Sequence, residues 1–144
     1  MKIGGSKAFK RPRRKVFDNF SDPARMDAVF GEQGANLRRE GPGGPGTVWH
    51  LDVTSGGKTR AMAIKLVDMV RPEVMRLHVT SEMVDADVAF VYTATEESAG
   101  TVTAEIDLAP HTLTARVARQ ALRLAKGKVE DRIQRALTAL GRRD

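Results

Sequence analysis

Residues 101–108 read Thr-Val-Thr-Ala-Glu-Ile-Asp-Leu, and Pro110 follows two positions later. Val102, Ala104, Ile106 and Leu108 alternate with Thr101, Thr103, Glu105 and Asp107. An extended chain therefore places four apolar side chains on one face and four polar ones on the other. One dry and one wet face is the pattern of a strand in an antiparallel sheet. Beyond Pro110 the period changes. Residues 111–140 contain no proline and are rich in Ala, Leu and Arg, which predicts a long helix. Its apolar positions form two stripes, Leu113, Val117, Ala121 and Leu124, then Val129, Ile133, Ala136, Leu137 and Leu140. At about 100° per residue the second stripe is turned by roughly a third of a circle from the first, with Gly127 at the change. Either the helix kinks there, or its halves pack on different surfaces, or a straight helix lies against a broad core.

Working back from residue 101, the chain reads as further strands. Val84–Thr95 is long and turns through residues 96–100, Glu-Glu-Ser-Ala-Gly. Met75, Leu77 and Val79 alternate with Arg76, His78 and Thr80 after the turn at Arg71-Pro72-Glu73. Met62, Ile64 and Leu66 share one face of a strand over 59–69. Trp49, Leu51 and Val53 share one face of a strand over 47–53, and Ser55-Gly56-Gly57 between the two is a hairpin signal. Asn36–Glu40 is a short strand, followed by Gly-Pro-Gly-Gly-Pro-Gly at 41–46. Two prolines exclude that run from a central strand and make it a connector or flexible lid.

At the start, Ile3 and Phe9 among small residues predict a strand over 2–11. Pro12 then suits the first turn of a short helix over 12–20, with Val16, Phe17 and Phe20 at helical spacing. Ser21-Asp22-Pro23 starts a second helix: Asp22 can cap it, and Met26, Val29 and Phe30 form its apolar stripe up to Gly31 or Gly34.

Composition bounds the chemistry. With 144 residues the chain fits one domain. An apolar share of 41% can build a core, so global disorder is excluded. The absence of cysteine excludes disulfide frameworks, thiolate metal sites and cysteine nucleophiles. No apolar run approaches the ~20 residues of a membrane span, and no apolar h-region follows the first residues, so a cytoplasmic location is expected. The net charge of +6 is uneven. Residues 1–15 carry seven cations and no acid, residues 16–110 a net charge of −7, and residues 111–144 a net of +6. Two basic ends around an acidic middle predict internal complementarity rather than a nucleic-acid surface. Lys10–Lys15 lacks interleaved aromatics for base stacking. No specific nucleic-acid partner is therefore expected, and at most a weak contact with an anionic membrane.

Three stretches carry a resemblance. Residues 12–23 lead from Pro12 through Val16, Phe17 and Phe20 into Asp22-Pro23; Gly43–Trp49 enters a strand as a Gly-x-x-Trp segment; Gly100-Thr101-Val102-Thr103 opens the last one. In this order and spacing, which spans nearly the whole chain, the sequence resembles the SRPBCC superfamily, the START and pollen-allergen-like helix-grip proteins. Its polyketide-cyclase-like and coenzyme-Q-binding-like branches are the most similar. The low aromatic content, 5%, and the proline-glycine loop depart from the family pattern. The resemblance implies an α+β helix-grip fold over residues 1–144. A curved seven-stranded antiparallel sheet would wrap around a long C-terminal helix, with two short helices between strands 1 and 2. It further implies binding or transport of a hydrophobic or amphipathic small molecule, lipid, quinone or polyketide-like, in a cavity between sheet and last helix. The alternatives are a cyclase, aromatase or dehydratase, and a regulatory interaction protein without an open cavity.

The residues expected to line that cavity are Met26, Phe30, Trp49, Leu51, Met62, Ile64, Met75, Leu77, Phe90, Tyr92, Val117 and Ala121. Methionines make such a surface adaptable. The competing expectation is that these side chains simply fill the interior. Catalytic candidates are few. Asp85 and Asp87 share a face of their strand; on the cavity side a desolvated carboxylate could move protons, on the outer side both are solvated charges. The inward phase of Phe90 and Tyr92 favours the outer side. Tyr92, the one tyrosine, could orient a ligand through its hydroxyl or merely pack. His50 and His78 fall on the polar side of their strands, and His111 lies at the start of the last helix. No two histidines have ligand spacing with a carboxylate, so neither a metal nor a cofactor is expected. Arg116, Arg119 and Arg123 could attract an anionic head group at the cavity mouth.

Overall fold

The computed structural model describes residues 2–82, 84–110 and 115–141, without the side chains of 110, 115–126 and 129. The elements follow as β1 (Lys2–Phe9), α1 (Arg13–Phe20), α2 (Pro23–Gly31), β2 (Ala35–Glu40), β3 (Val48–Ser55), β4 (Lys58–Val70), β5 (Val74–Ser81), β6 (Val84–Glu96), β7 (Ala99–Pro110) and α3 (Ala115–Gly141). The seven strands form one antiparallel sheet in the order β1-β7-β6-β5-β4-β3-β2. This is the α+β arrangement expected, with both short helices between β1 and β2. Two strands consecutive in the chain thus occupy opposite edges, and α1 and α2 carry the chain from one edge to the other.

Local chemistry accounts for the joints. Gly56 and Gly57 take φ of 60° and 78°, the left-handed pair that closes a two-residue hairpin. Asp22 caps α2 by accepting the Ala24 amide at 3.1 Å, with Pro23 in the first turn. Pro12 stands one place outside α1, which has no side-chain cap. Of the two expectations for 41–46, a connector or a flexible lid, its hydrogen bonds favour an anchored connector. The buried hydroxyl of Thr47 accepts the Gly43 amide at 2.9 Å, Gly46 donates to the Leu66 carbonyl at 2.8 Å, and Leu66 donates to that of Thr47 at 2.9 Å. Thr47 therefore holds the glycine loop from its buried side.

The core lies between the concave face of the sheet and the three helices. Phe20, Met26, Trp49, Leu66, Met75 and Leu137 are fully buried there. Phe20 meets Tyr92, Phe90 and Phe9 edge to face with ring centroids 5.2, 5.6 and 6.3 Å apart, and Phe17 meets Tyr92 at 4.9 Å. Such pairs add about 0.5–1.5 kcal/mol each beyond the area they bury. α3 is continuous through Gly127. Of its second stripe, Ile133, Leu137 and Leu140 are buried; the first stripe lies outside the described side chains. α3 is tied down by Gln134, which donates to the Ser6 carbonyl at 2.9 Å, and by Arg11, whose guanidinium donates to the Gly141 carbonyl.

Four of the cations in the basic N-terminal stretch stand apart from the acids. Among the described residues, Lys10, Arg13, Arg14 and Lys15 make no ion pair, and no acid stands in the first turn of α1. Five acids of the middle segment pair with its own cations and histidines: Asp27 with Arg39, Glu82 with Arg60, Asp18 with Arg71, Glu40 with His50 and Asp87 with His78.

Candidate functional site

Strand register sorts the side chains of the concave face into rows. Tyr92 stands beside Val102, and Met75 beside Phe90 and Ala104. Leu66, Leu77, Val88, Ile106 and Ile3 form the next row, and Trp49, Ile64, Val79, Ala86 and Leu108 the one after it. Leu51, Met62 and Ser81 follow, and the last row pairs Val53 with Arg60.

The two ends of this face differ. At the proximal end Phe17 and Phe20 of α1, Met26 and Phe30 of α2, and Leu137 and Leu140 of α3 seal the surface. Phe30 meets Trp49 edge to face at 5.2 Å, and the indole N–H donates to Asp27 Oδ1 at 2.7 Å. Of the residues expected to line a cavity, Met26, Phe30, Trp49, Met75, Phe90 and Tyr92 sit in this packed region. A void of about 10 Å³ bounded by Arg13, Val16, Tyr92 and Gly100 is too small for an organic ligand. At the distal end Leu51, Ile64 and Leu77 are buried, while Met62, Val79, Val88, Ile106 and Leu108 are packed against the core but keep part of their surface accessible. These five form an apolar shelf, and only Met62 among them was expected at the site. Their alternation was legible in the sequence; their partial exposure depends on where the helices stop covering the sheet. Val117 and Ala121, and Arg116, Arg119 and Arg123, lie outside the described side chains, as does His111 outside the described residues.

The catalytic candidates part company. Asp87 pairs across the sheet with Asp107 and His78, on the convex face, and is largely exposed. Its Oδ1 lies 2.7 Å from His78 Nδ1. Asp87 does not face the concave side. Tyr92 does, but deep in the packed end. Its hydroxyl is buried without a hydrogen-bond partner among the described residues, and desolvation pushes its pKa well above the ordinary value. His50, also on the convex face, places Nε2 3.4 Å from Glu40 Oε1. Among the described residues no group of three metal-ligating side chains comes together, and no helix is long and apolar enough to cross a membrane.

The convex face has two broad depressions. One of about 780 Å³ runs over Gly4 and Ala89, rimmed by Lys2, Arg76, Asp87, Glu105 and Asp107. The other, about 700 Å³, runs over Ala61 and Ala63, rimmed by Arg38, His50, Asp52 and Thr80. Both arise where small side chains leave the sheet uncovered. Both are open and rimmed by charges of both signs, unlike the apolar rows of the shelf.

This architecture, a curved seven-stranded antiparallel sheet gripping a C-terminal helix, is the helix-grip fold. Solved structures agree across nearly the whole chain. The chain is similar to norcoclaurine synthase from Thalictrum flavum, solved with dopamine and hydroxybenzaldehyde, at a TM-score of 0.74 and 11% identity over 97% of this chain and 85% of that one. It is similar to the protein Ara h 8.0201 at 0.62 and 14% identity, over 98% and 95%. A START superfamily protein from Mycobacterium smegmatis matches at 0.63 and 11%, over 94% and 93%. At these identities the likeness is one of fold. No family model matches the sequence, and no curated protein does.

Proposed function

We propose that this protein binds a hydrophobic or amphipathic small molecule, lipid, quinone or polyketide-like, between the distal half of the concave sheet face and α3, and that it acts in the cytoplasm as a carrier or sensor rather than a catalyst. One observation carries the reading: Met62, Val79, Val88, Ile106 and Leu108 form an apolar shelf with accessible surface beside a fully packed core. Removing such surface from water yields about 25 cal/mol per Å², and a ligand that covers it completes a burial that the described residues leave unfinished. The fold shared with Ara h 8.0201 and the START protein supports the same reading.

The alternative, a cyclase, aromatase or dehydratase, draws support from the likeness to norcoclaurine synthase. It requires a titratable group on the shelf. Asp87 faces the other way and Tyr92 belongs to the packed end, so binding without turnover is the better-supported reading. A regulatory protein with a collapsed interior is the third. Mass spectrometry of the purified protein under native conditions discriminates among them. A co-purified lipid, quinone or polyketide supports binding. Failure of any apolar ligand to associate, even when a neutral apolar dye and long-chain alcohols are supplied, overturns it in favour of the collapsed interior.

A further inference from the structure

The apolar shelf ends on a cation. Arg60 stands on β4 opposite Val53 and two residues from Met62, so it shares their face. Val53 packs against the core from that side, which fixes the phase. The Arg60 side chain is three-quarters covered. Its partner is Glu82 in the β5–β6 turn, mostly exposed, with Oε2 3.6 Å from Nε. An ion pair of that length with one member in water is readily exchanged. No other polar group among the described residues meets the guanidinium. The other charges on this face are engaged or remote. Arg39 and Asp27 pair with one another beside Trp49, and Lys7 stands in the proximal row with Tyr92 and Val102. From Arg60 to Ile64 the strand rise of about 3.3 Å per residue gives roughly 13 Å of strip that is apolar on the concave side. Met62 and Ile64 lie along it, with Leu51 and Val79 as neighbours.

We propose that Arg60 anchors the carboxylate of an amphipathic ligand whose apolar body lies along the accessible surface of Met62 and Val79, the carboxylate taking the place of Glu82. The planar guanidinium matches a carboxylate with two parallel donors, and the apolar surroundings strengthen the contact. The inference rests on the binding function proposed above and specifies its ligand as a monocarboxylate. It also assigns Glu82 the role of a competitor: an internal carboxylate that holds the arginine until a ligand replaces it.

The test uses the whole chain with two probes that differ only in the head group, dodecanoate and dodecanol, each displacing the neutral dye N-phenylnaphthylamine. Wild-type protein is expected to prefer dodecanoate. Arg60→Gln lowers dodecanoate affinity about tenfold, the lower end for hydrogen bonds to a charged group, and leaves dodecanol within twofold. Glu82→Gln tightens dodecanoate several-fold and leaves dodecanol unchanged. Unchanged circular dichroism establishes that both variants fold. Equal losses for the two probes in Arg60→Gln, or no loss for either, overturn the anchor while leaving the apolar site standing. If the dye and dodecanol fail to bind wild type, the binding function itself falls, and the anchor with it.

Discussion

Trp49 and Asp27 join the sheet to the helix layer through one hydrogen bond, the indole N–H of β3 donating at 2.7 Å to a carboxylate of α2. The indole is fully buried, while Asp27 is partly exposed and also 3.3 Å from Arg39. Asp27 satisfies the one polar atom that this large side chain brings into the core. Asp27→Ala leaves that N–H without an acceptor and is expected to cost about 1–3 kcal/mol. Asp27→Asn retains an acceptor oxygen and costs less. Urea unfolding followed by the fluorescence of the single tryptophan measures both. Equal stabilities for the two variants would show that the bond contributes little.

Two glycines of α3 should respond to alanine with opposite signs. A Cβ on Gly141 collides with the ring of Phe9, whereas one on Gly127 meets open space. Gly141→Ala is expected to destabilise by about 1–3 kcal/mol through overpacking. Replacing Phe9 with Leu in the same chain should recover part of that loss. Gly127→Ala should stabilise by about 0.5–1 kcal/mol, because alanine restricts the unfolded chain and favours helix. Urea midpoints of the three variants decide the matter.

Tyr92 gives an alkaline signature. Its folded pKa is raised by burial, so the unfolded chain loses the phenolic proton first as pH rises. Relative to a phenylalanine at that site, stability is intact below the ordinary tyrosine value of about 10 and falls as pH climbs from there towards the raised value. Tyr92→Phe should therefore unfold less readily than wild type above about pH 10. Near neutral pH it should be equal or slightly more stable, since it removes a buried hydroxyl without a partner. As the chain has one tyrosine, ultraviolet absorbance reads its ionisation directly, and wild type should show none before it unfolds.

Binding should track the shelf and ignore the convex face. Met62→Gln places an amide among apolar neighbours at a half-buried position and is expected to weaken dodecanol binding several-fold with the fold intact. Asp87→Asn removes an exposed partner of His78 and should leave both stability and binding within error. Met75→Gln, in the packed core, should instead lower stability by about 2–5 kcal/mol. Displacement of the neutral dye, alongside thermal unfolding, separates the three.

The elements were legible because each carries its own local signal. Gly56-Gly57 closes its hairpin with two positive φ values, Asp22-Pro23 starts α2, and the alternation from Val102 to Leu108 points inward as the sequence predicts. The site was legible only in part. Trp49 and Met75 have the same strand phase as Met62, and nothing in their own spacing says that α1 and α2 stop short of one and cover the others. That boundary is set by helix placement, a property of residues far away in the chain. Arg60 escaped notice for a related reason. A charged residue near a hairpin reads as solvent-facing, and its concave orientation appears only when its register with Val53 is known. Charge summed over segments does not say which charges meet. Five acids of the middle pair within the middle, and Lys10, Arg13, Arg14 and Lys15 make no ion pair among the described residues.

The pairing of β1 with β7 runs from Lys2 opposite Asp107 to Phe9 opposite Gly100. On the ribosome β1 must therefore wait about a hundred residues for its partner. At about 5–20 residues per second the delay is roughly five to twenty seconds, a long interval for a nascent chain. Until it ends, the growing sheet has an open flank on β6 and then on β7, with the hydrogen-bonding groups that recruit stray strands. A competing peptide with the sequence of β1 should be captured by the nascent or N-terminally shortened chain and ignored by the finished protein.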